Sequence, residues 1–217
     1  MNTMIIVNFK GYSEAMGEKA EELARKCRKA SENTGREVVV CPQPQDIQRV
    51  AETGVETISQ HVSRKDTGSH TGHVMAEGVK RAGATGTMID HSERRLEPEI
   101  VEKTVEKAED LDLKTVLCAK TPEEVERFSK FQPDYISIEP PELIGGDTAV
   151  STARPEMIQN AVEKTADGVK ALAGAGIKSL EDVEKAKELG CSGILVASGV
   201  VKAEKPQEAL EDLCRGL

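Results

Sequence analysis

At 217 residues the chain has room for one large core or two small ones. No Ser/Gly-rich spacer, block of like charge or low-complexity run marks a linker, so a single domain over residues 1–217 is expected. A hydrophobic fraction of 38% with aromatics at only 2% leaves the core to Val, Ile, Leu and Ala, a composition suited to parallel strands under helices. The formal charge of -9 is spread with mixed signs over segments such as 97–112, which argues against nucleic acid as a partner. An anionic substrate would then be held by local backbone donors and one or two placed cations, not by the overall field.

The chain opens on an apolar strand without a charged leader and long apolar run, and no later stretch approaches a membrane span. A cytoplasmic protein is expected. Cys27, Cys41, Cys118, Cys191 and Cys214 are odd in number and share no paired spacing, so they read as reduced core fillers. His61, His70 and His73 raise the question of a metal. No Cys or acidic ligand accompanies them in a helical register, and neither a metal nor a cofactor is expected.

In chain order, Met4-Ile-Ile-Val-Asn8 reads as a buried strand, followed by an amphipathic helix over 13–33 with Ser13 as its cap. Glu37-Val-Val-Val-Cys41 is a second strand, 44–52 a helix, and Glu56-Thr-Ile-Ser-Gln60 a third strand. The segment from His61 to His73 is a Gly/Ser/His loop too long for a bare connection. A helix over 74–82 closes at Gly83, Gly86-Thr-Met-Ile-Asp90 is the fourth strand, and 96–111 is a strongly charged helix. Lys114-Thr-Val-Leu-Cys118 is the fifth strand, and Thr121-Pro-Glu-Glu124 signals the next helix start.

The sixth strand, Pro133-Asp-Tyr-Ile-Ser-Ile138, ends in Glu139 and runs at once into Pro140, Pro141, Gly145 and Gly146. The prolines stop strand pairing beside the acid and the glycines permit a pivot, so Glu139 reads as a carboxylate on a hinged flap. A helix over 155–165, a strand Val169-Lys-Ala-Leu-Ala173, a helix capped by Ser179-Leu-Glu-Asp182, a strand Gly193-Ile-Leu-Val-Ala197 and a last helix over 206–215 complete the chain.

Eight strand–helix alternations leave an open doubly wound sheet or a closed (β/α)8 barrel. Asn8 and Lys10, His91, Glu139, Gly174 and Gly176, and Ser198 and Gly199 all follow strands at their C-terminal ends. In an open sheet the first and eighth of these ends lie far apart, whereas a barrel gathers them at one rim. The barrel is therefore the expected fold. Its rim would hold a carboxylate, an imidazole, an ammonium and two small-residue turns whose place after strands seven and eight is the usual phosphate site of this architecture. Glu139 has the chemistry to take a proton from carbon next to a carbonyl, His91 to polarise the carbonyl oxygen, and Lys10 to stabilise the charge that develops there.

The same pieces carry a family resemblance. Asn8-Phe-Lys10, Gln60-His61, Gly68-Ser-His-Thr-Gly72, His91-Ser-Glu-Arg-Arg95, Glu139-Pro-Pro-Glu-Leu-Ile-Gly145, Gly174-Ala-Gly-Ile177 and Ala197-Ser-Gly199 occur in family order over nearly the whole chain. It resembles the triosephosphate isomerases in their shorter archaeal form. That resemblance implies an aldose–ketose isomerase of glycolysis and gluconeogenesis that works without a cofactor. It makes Glu139 the proton acceptor and His91 a neutral electrophile, with Asn8, Phe9 and Lys10 at the substrate. It also gives Ile144, Gly176, Ala197 and Ser198 the grip on phosphate, and Glu93 the hold on Lys10. In the family the loop after strand three enters a partner subunit, which implies a homodimer or homotetramer here. The chain departs from the longer form in reading Pro-Pro-Glu in the flap, in His61 where that form has asparagine, and in shorter helices. Those departures bear on lid and assembly, not on the reaction. Another sugar-phosphate enzyme on the same barrel would share the phosphate turns but not the combination of Lys10, His91 and Glu139, and a binding protein has no need of all three.

Overall fold

A computed structural model describes residues 3–140, 143 and 149–217. Strands β1 (Met4–Asn8), β2 (Glu37–Cys41), β3 (Glu56–Ser59), β4 (Gly86–Ile89), β5 (Lys114–Ala119), β6 (Tyr135–Ile138), β7 (Lys170–Ala173) and β8 (Gly193–Val196) run parallel in sequential order. The last pairs with the first, from Met4 with Gly193 to Val7 with Val196, so the sheet closes as the barrel that the strand-end residues called for. Closure is tight at that seam. A Cβ on Gly193 would sit 2.2 Å from the Met4 carbonyl oxygen, a backbone atom with nowhere to go.

Both faces of the strands are buried, which explains why they read as unbroken Val/Ile runs without a polar alternation. The alternation separates two apolar layers. Met4, Ile6, Val39, Cys41, Ile58, Met88, Val116, Cys118, Tyr135, Leu172 and Leu195 pack together on the inner face. Ile5, Val7, Val38, Val40, Leu117, Ile136, Ile138 and Val196 meet the surrounding helices on the outer face. Those helices are α1 (Glu18–Thr34), α2 (Ile47–Ala51), α3 (Ala76–Arg81), α4 (Pro98–Glu109), α5 (Pro122–Phe128), α6 (Val150–Ala153), α7 (Pro155–Lys164), α8 (Leu180–Glu188), α9 (Ser198–Val201) and α10 (Pro206–Arg215). None among the described residues is long and apolar enough to cross a membrane. The five cysteines are buried free thiols.

The first helix differs from expectation. Ser13 opens a short 3-10 turn, Ser13–Ala15, and its hydroxyl bonds Glu14 at 2.9 Å, so it caps nothing. Gly17, at φ 60, breaks the run, and α1 begins only after it. The other two capping signals hold. Thr121 Oγ1 accepts the Glu124 amide at 3.3 Å, and Ser179 and Asp182 form a reciprocal capping box at the head of α8. The four-residue helices α6 and α9 had no periodic signal, because one turn cannot display a period.

Candidate active site

The barrel sets one wall of a cavity at the C-terminal ends of its strands, lined by Lys10, Tyr12, His91, Glu139, Gly174, Gly176, Ile177, Ala197, Ser198 and Gly199 among others. Residues from β1, β4, β6, β7 and β8, far apart in the chain, meet there. The empty space, open mouth included, is about 460 Å³, which suits a small molecule.

Glu139 continues the inward face of β6 after Tyr135 and Ser137. Its amide donates to the Ala119 carbonyl at 2.8 Å, and the side chain is 3% exposed. One carboxylate oxygen, Oε2, lies 3.4 Å from His91 Nε2. The other, Oε1, is buried without a hydrogen-bond partner among the described residues. Burial pushes the carboxyl up to about 7, while Cys118, Ser137, Lys10 and Arg95 hold it from rising further. A carboxylate tuned there is a better base at neutral pH than a solvated one.

His91 follows Asp90, which sits in the left-handed region at φ 61 and so turns the chain out of the strand's alternation. That turn is fixed: the Leu96 amide donates to Asp90 Oδ1 at 2.6 Å, and Arg95 Nη2 lies 3.1 Å from Asp90 Oδ2. The Glu93 amide donates to His91 Nδ1 at 3.2 Å. Nδ1 is therefore an acceptor, and the ring proton resides on Nε2, facing the carboxylate. Burial first, then Lys10 and Arg95, lower the imidazole to about 4. An NMR titration of the His91 ring is expected to show the neutral form at pH 6 and above, with protonation only near pH 4. A ring that gains its proton around pH 6.5 would contradict this.

Lys10 is also left-handed, at φ 46, an uncommon conformation for a residue with a long side chain. Three side chains hold it there. Asn8 Oδ1 accepts the Lys10 amide at 2.9 Å, and the Lys10 carbonyl accepts from Gln43 Nε2 at 2.7 Å and from Gln60 Nε2 at 3.0 Å. No ion pair joins Lys10 to Glu93 among these residues. The two instead flank an adjoining cavity with Asn8, Gln43, Gln60, His61 and Arg94.

Of the residues anticipated from sequence, Lys10, His91, Glu139, Gly176, Ala197 and Ser198 line the same cavity. Asn8 lines the adjoining one, and Phe9 is wholly buried in the outer core between Asn8 and Lys10. Ile144, with most of the flap, lies outside the described residues. Gln43, Arg95, Cys118 and Ser137 were not anticipated. Gln43 is one polar residue in a loop, and only Arg95, inside the His91–Arg95 run, carried any signal. His70 and His73 meet edge to face at 5.9 Å between centroids, and no group of three or more His, Cys, Asp or Glu among the described residues is placed to hold a metal.

A raised carboxyl beside a neutral imidazole, with an ammonium in the same cavity at a barrel's C-terminal rim, defines a (β/α)8-barrel enzyme of the proton-transferring class. Residues 3–216 match the family model of triosephosphate isomerase. The chain belongs to the triosephosphate isomerase family and is an isomerase. It is 46% identical over 215 residues to the triosephosphate isomerase of Methanosarcina acetivorans, covering 97% of each chain. With that of Methanothermus fervidus it shares 43% over 214 residues, covering 97% of this chain and 96% of the other. A crystal structure of triosephosphate isomerase from Bartonella henselae superposes with a TM-score of 0.76 at 19% identity, covering 100% of this chain and 99% of that one, and so shares the fold.

Proposed function

We propose that the enzyme interconverts glyceraldehyde 3-phosphate and dihydroxyacetone phosphate, the step of glycolysis and gluconeogenesis that moves a carbonyl between neighbouring carbons. The Glu139 carboxylate takes a proton from the carbon beside the carbonyl. The released electron pair moves to the carbonyl oxygen, which His91 Nε2–H stabilises by hydrogen bonding, and an enediolate results. A proton passes between the two oxygens of this intermediate, and Glu139 returns its own to the neighbouring carbon, leaving the new carbonyl on the carbon first deprotonated. Lys10 offsets the negative charge of the intermediate, and Asn8, whose Oδ1 accepts the Lys10 amide, stands beside it at the substrate, while Phe9, wholly buried in the outer core, does not reach the substrate.

The amides of Gly176, Ala197 and Ser198 hold the phosphate, with Ile144 joining from the flap. Val200 and Val201 donate to the Ala197 carbonyl at the head of α9, which leaves the Ser198 amide in front of them without an acceptor in its own helix and supports this assignment. The observation that carries the reading is the 3.4 Å approach of Glu139 Oε2 to His91 Nε2 in a cavity shared with Lys10. Residues 1–217 form one barrel domain that needs no cofactor and acts in the cytoplasm. It self-associates as a homodimer or homotetramer through the loop from His61 to His73, whose residues 66–73 are exposed.

The test is turnover of glyceraldehyde 3-phosphate in deuterated water, followed by NMR. A base that exchanges its proton with solvent leaves deuterium on the reacting carbon of the product. Absence of turnover on this substrate would refute the assignment.

A further inference from the structure

Among the buried polar atoms near the reacting centre that have no hydrogen-bond partner among the described residues are Ser137 Oγ and Glu139 Oε1 on β6, with Asp90 Oδ2 and Ser92 Oγ on the loop after β4. Ser137 and Glu139 belong to one strand and one face, two positions apart, with Ser137 wholly buried. They also crowd the same spot. A Cβ placed on Gly174 would lie 2.2 Å from Ser137 Oγ and 2.8 Å from Glu139 Oε1, so both oxygens reach towards the space that a bare glycine leaves open. A buried hydroxyl and a buried carboxylate oxygen are each costly to leave unsatisfied, and a small turn of the Ser137 hydroxyl would satisfy both at once. The second carboxylate oxygen is occupied by His91 Nε2 at 3.4 Å, so the vacant Oε1 is the one Ser137 faces.

The geometry points to Ser137 as a positioning residue for Glu139: its hydroxyl donates to Oε1 while the carboxylate is ionised, and so fixes the base with Oε2 turned towards His91 and substrate. This rests on Glu139 being the base. Once the carboxyl has taken the substrate's proton, the hydroxyl keeps an acceptor lone pair for it, so the same contact serves both protonation states. A second unpartnered hydroxyl, Ser92 Oγ on the β4 loop, lines a cavity with Glu139 and Cys118, whereas Ser137 shares with Glu139 the space over Gly174. From β1 and its loop comes Lys10, from the β4 loop Asp90, His91 and Arg95, and from β5 the Cys118 thiol, which burial keeps protonated. Burial opposes ionisation of Glu139, and Lys10 and Arg95 favour it.

Ser137→Ala is expected to move the acid limb of the kcat/KM pH profile upward by about one pH unit, because a donor to the ionised form is lost. Infrared titration of the Glu139 carboxylate, identified by its loss in Glu139→Gln, should show the same shift without any turnover. Ser137→Cys, a weaker donor of similar size, should fall between and serves if the alanine variant folds poorly. An acid limb and carboxylate titration that stay put, or move downward, would overturn the proposal. Full turnover in Glu139→Gln would instead remove the base assignment, while the infrared shift would still decide whether Ser137 touches the carboxylate.

Discussion

Glu139→Gln is expected to lower kcat by about 10³- to 10⁴-fold with KM within a few-fold of wild type, because it deletes proton transfer but keeps the shape of the side chain. The same variant should be more stable at alkaline pH. The Glu139 carboxyl titrates at about 7 when folded against an ordinary 4.5, so the folded protein binds more protons than the unfolded chain between those values. The stability this group contributes is fully present below pH 4.5 and is lost as pH rises through about 7. At pH 8 the ionised, buried carboxylate therefore costs the fold up to about 3 kcal/mol, and glutamine removes that cost. His91 works oppositely. Its lowered value, about 4, means that its contribution is present above pH 6.5 and is lost as pH falls towards 4. Urea melts of both proteins at pH 5 and pH 8 read the difference, which should open only at the higher pH. Retention of a tenth or more of the wild-type kcat would sink the assignment of Glu139 as base.

Why the fold was legible and parts of the site were not follows from the kind of signal each element emits. A strand buried on two faces writes itself as Val, Ile and Leu between turn residues, and Glu37–Cys41 and Gly193–Val196 could be bounded almost to the residue. The choice of a barrel needed only that all unusual residues follow strands, as Asn8, His91, Glu139 and Ser198 do. Short-range backbone geometry left no such trace. Gly17 looked like any helix-compatible small residue until its φ of 60 split the first helix, and Asp90 looked like the last residue of β4 until its left-handed turn redirected His91. The groups that tune the site were quieter still. Ser137 passes for a strand residue and Cys118 for core filler, because their meaning lies in what β5 and β7 bring beside Glu139, and pairing across strands is invisible along the chain. Gln43 and Gln60 hold the strained Lys10 through its backbone carbonyl, an atom every residue has.

Gly174→Ala should disable the enzyme without touching a reacting group, lowering kcat/KM by about 10²-fold or more. The position does not require a left-handed backbone, so alanine meets no conformational barrier there, and the damage is steric. The new methyl would lie 2.2 Å from Ser137 Oγ, 2.5 Å from Glu139 Cγ and 2.8 Å from Glu139 Oε1. Relief of the contact with Cγ needs a χ1 turn that carries the carboxylate away from its place beside His91, and a displacement of about 1 Å costs about 10²-fold in a positioned reaction. Overpacking of this kind also destabilises by about 1–3 kcal/mol. Ser137→Ala combined with Gly174→Ala separates the two effects, since it relieves the contact with Oγ and leaves the one with Cγ. The double variant should regain much of the lost stability in thermal melts yet stay catalytically poor, a non-additive result expected of side chains that share one space. Near wild-type kcat/KM in the single variant would mean that Glu139 has another productive orientation, and that the glycine after β7 is not what holds the base in line.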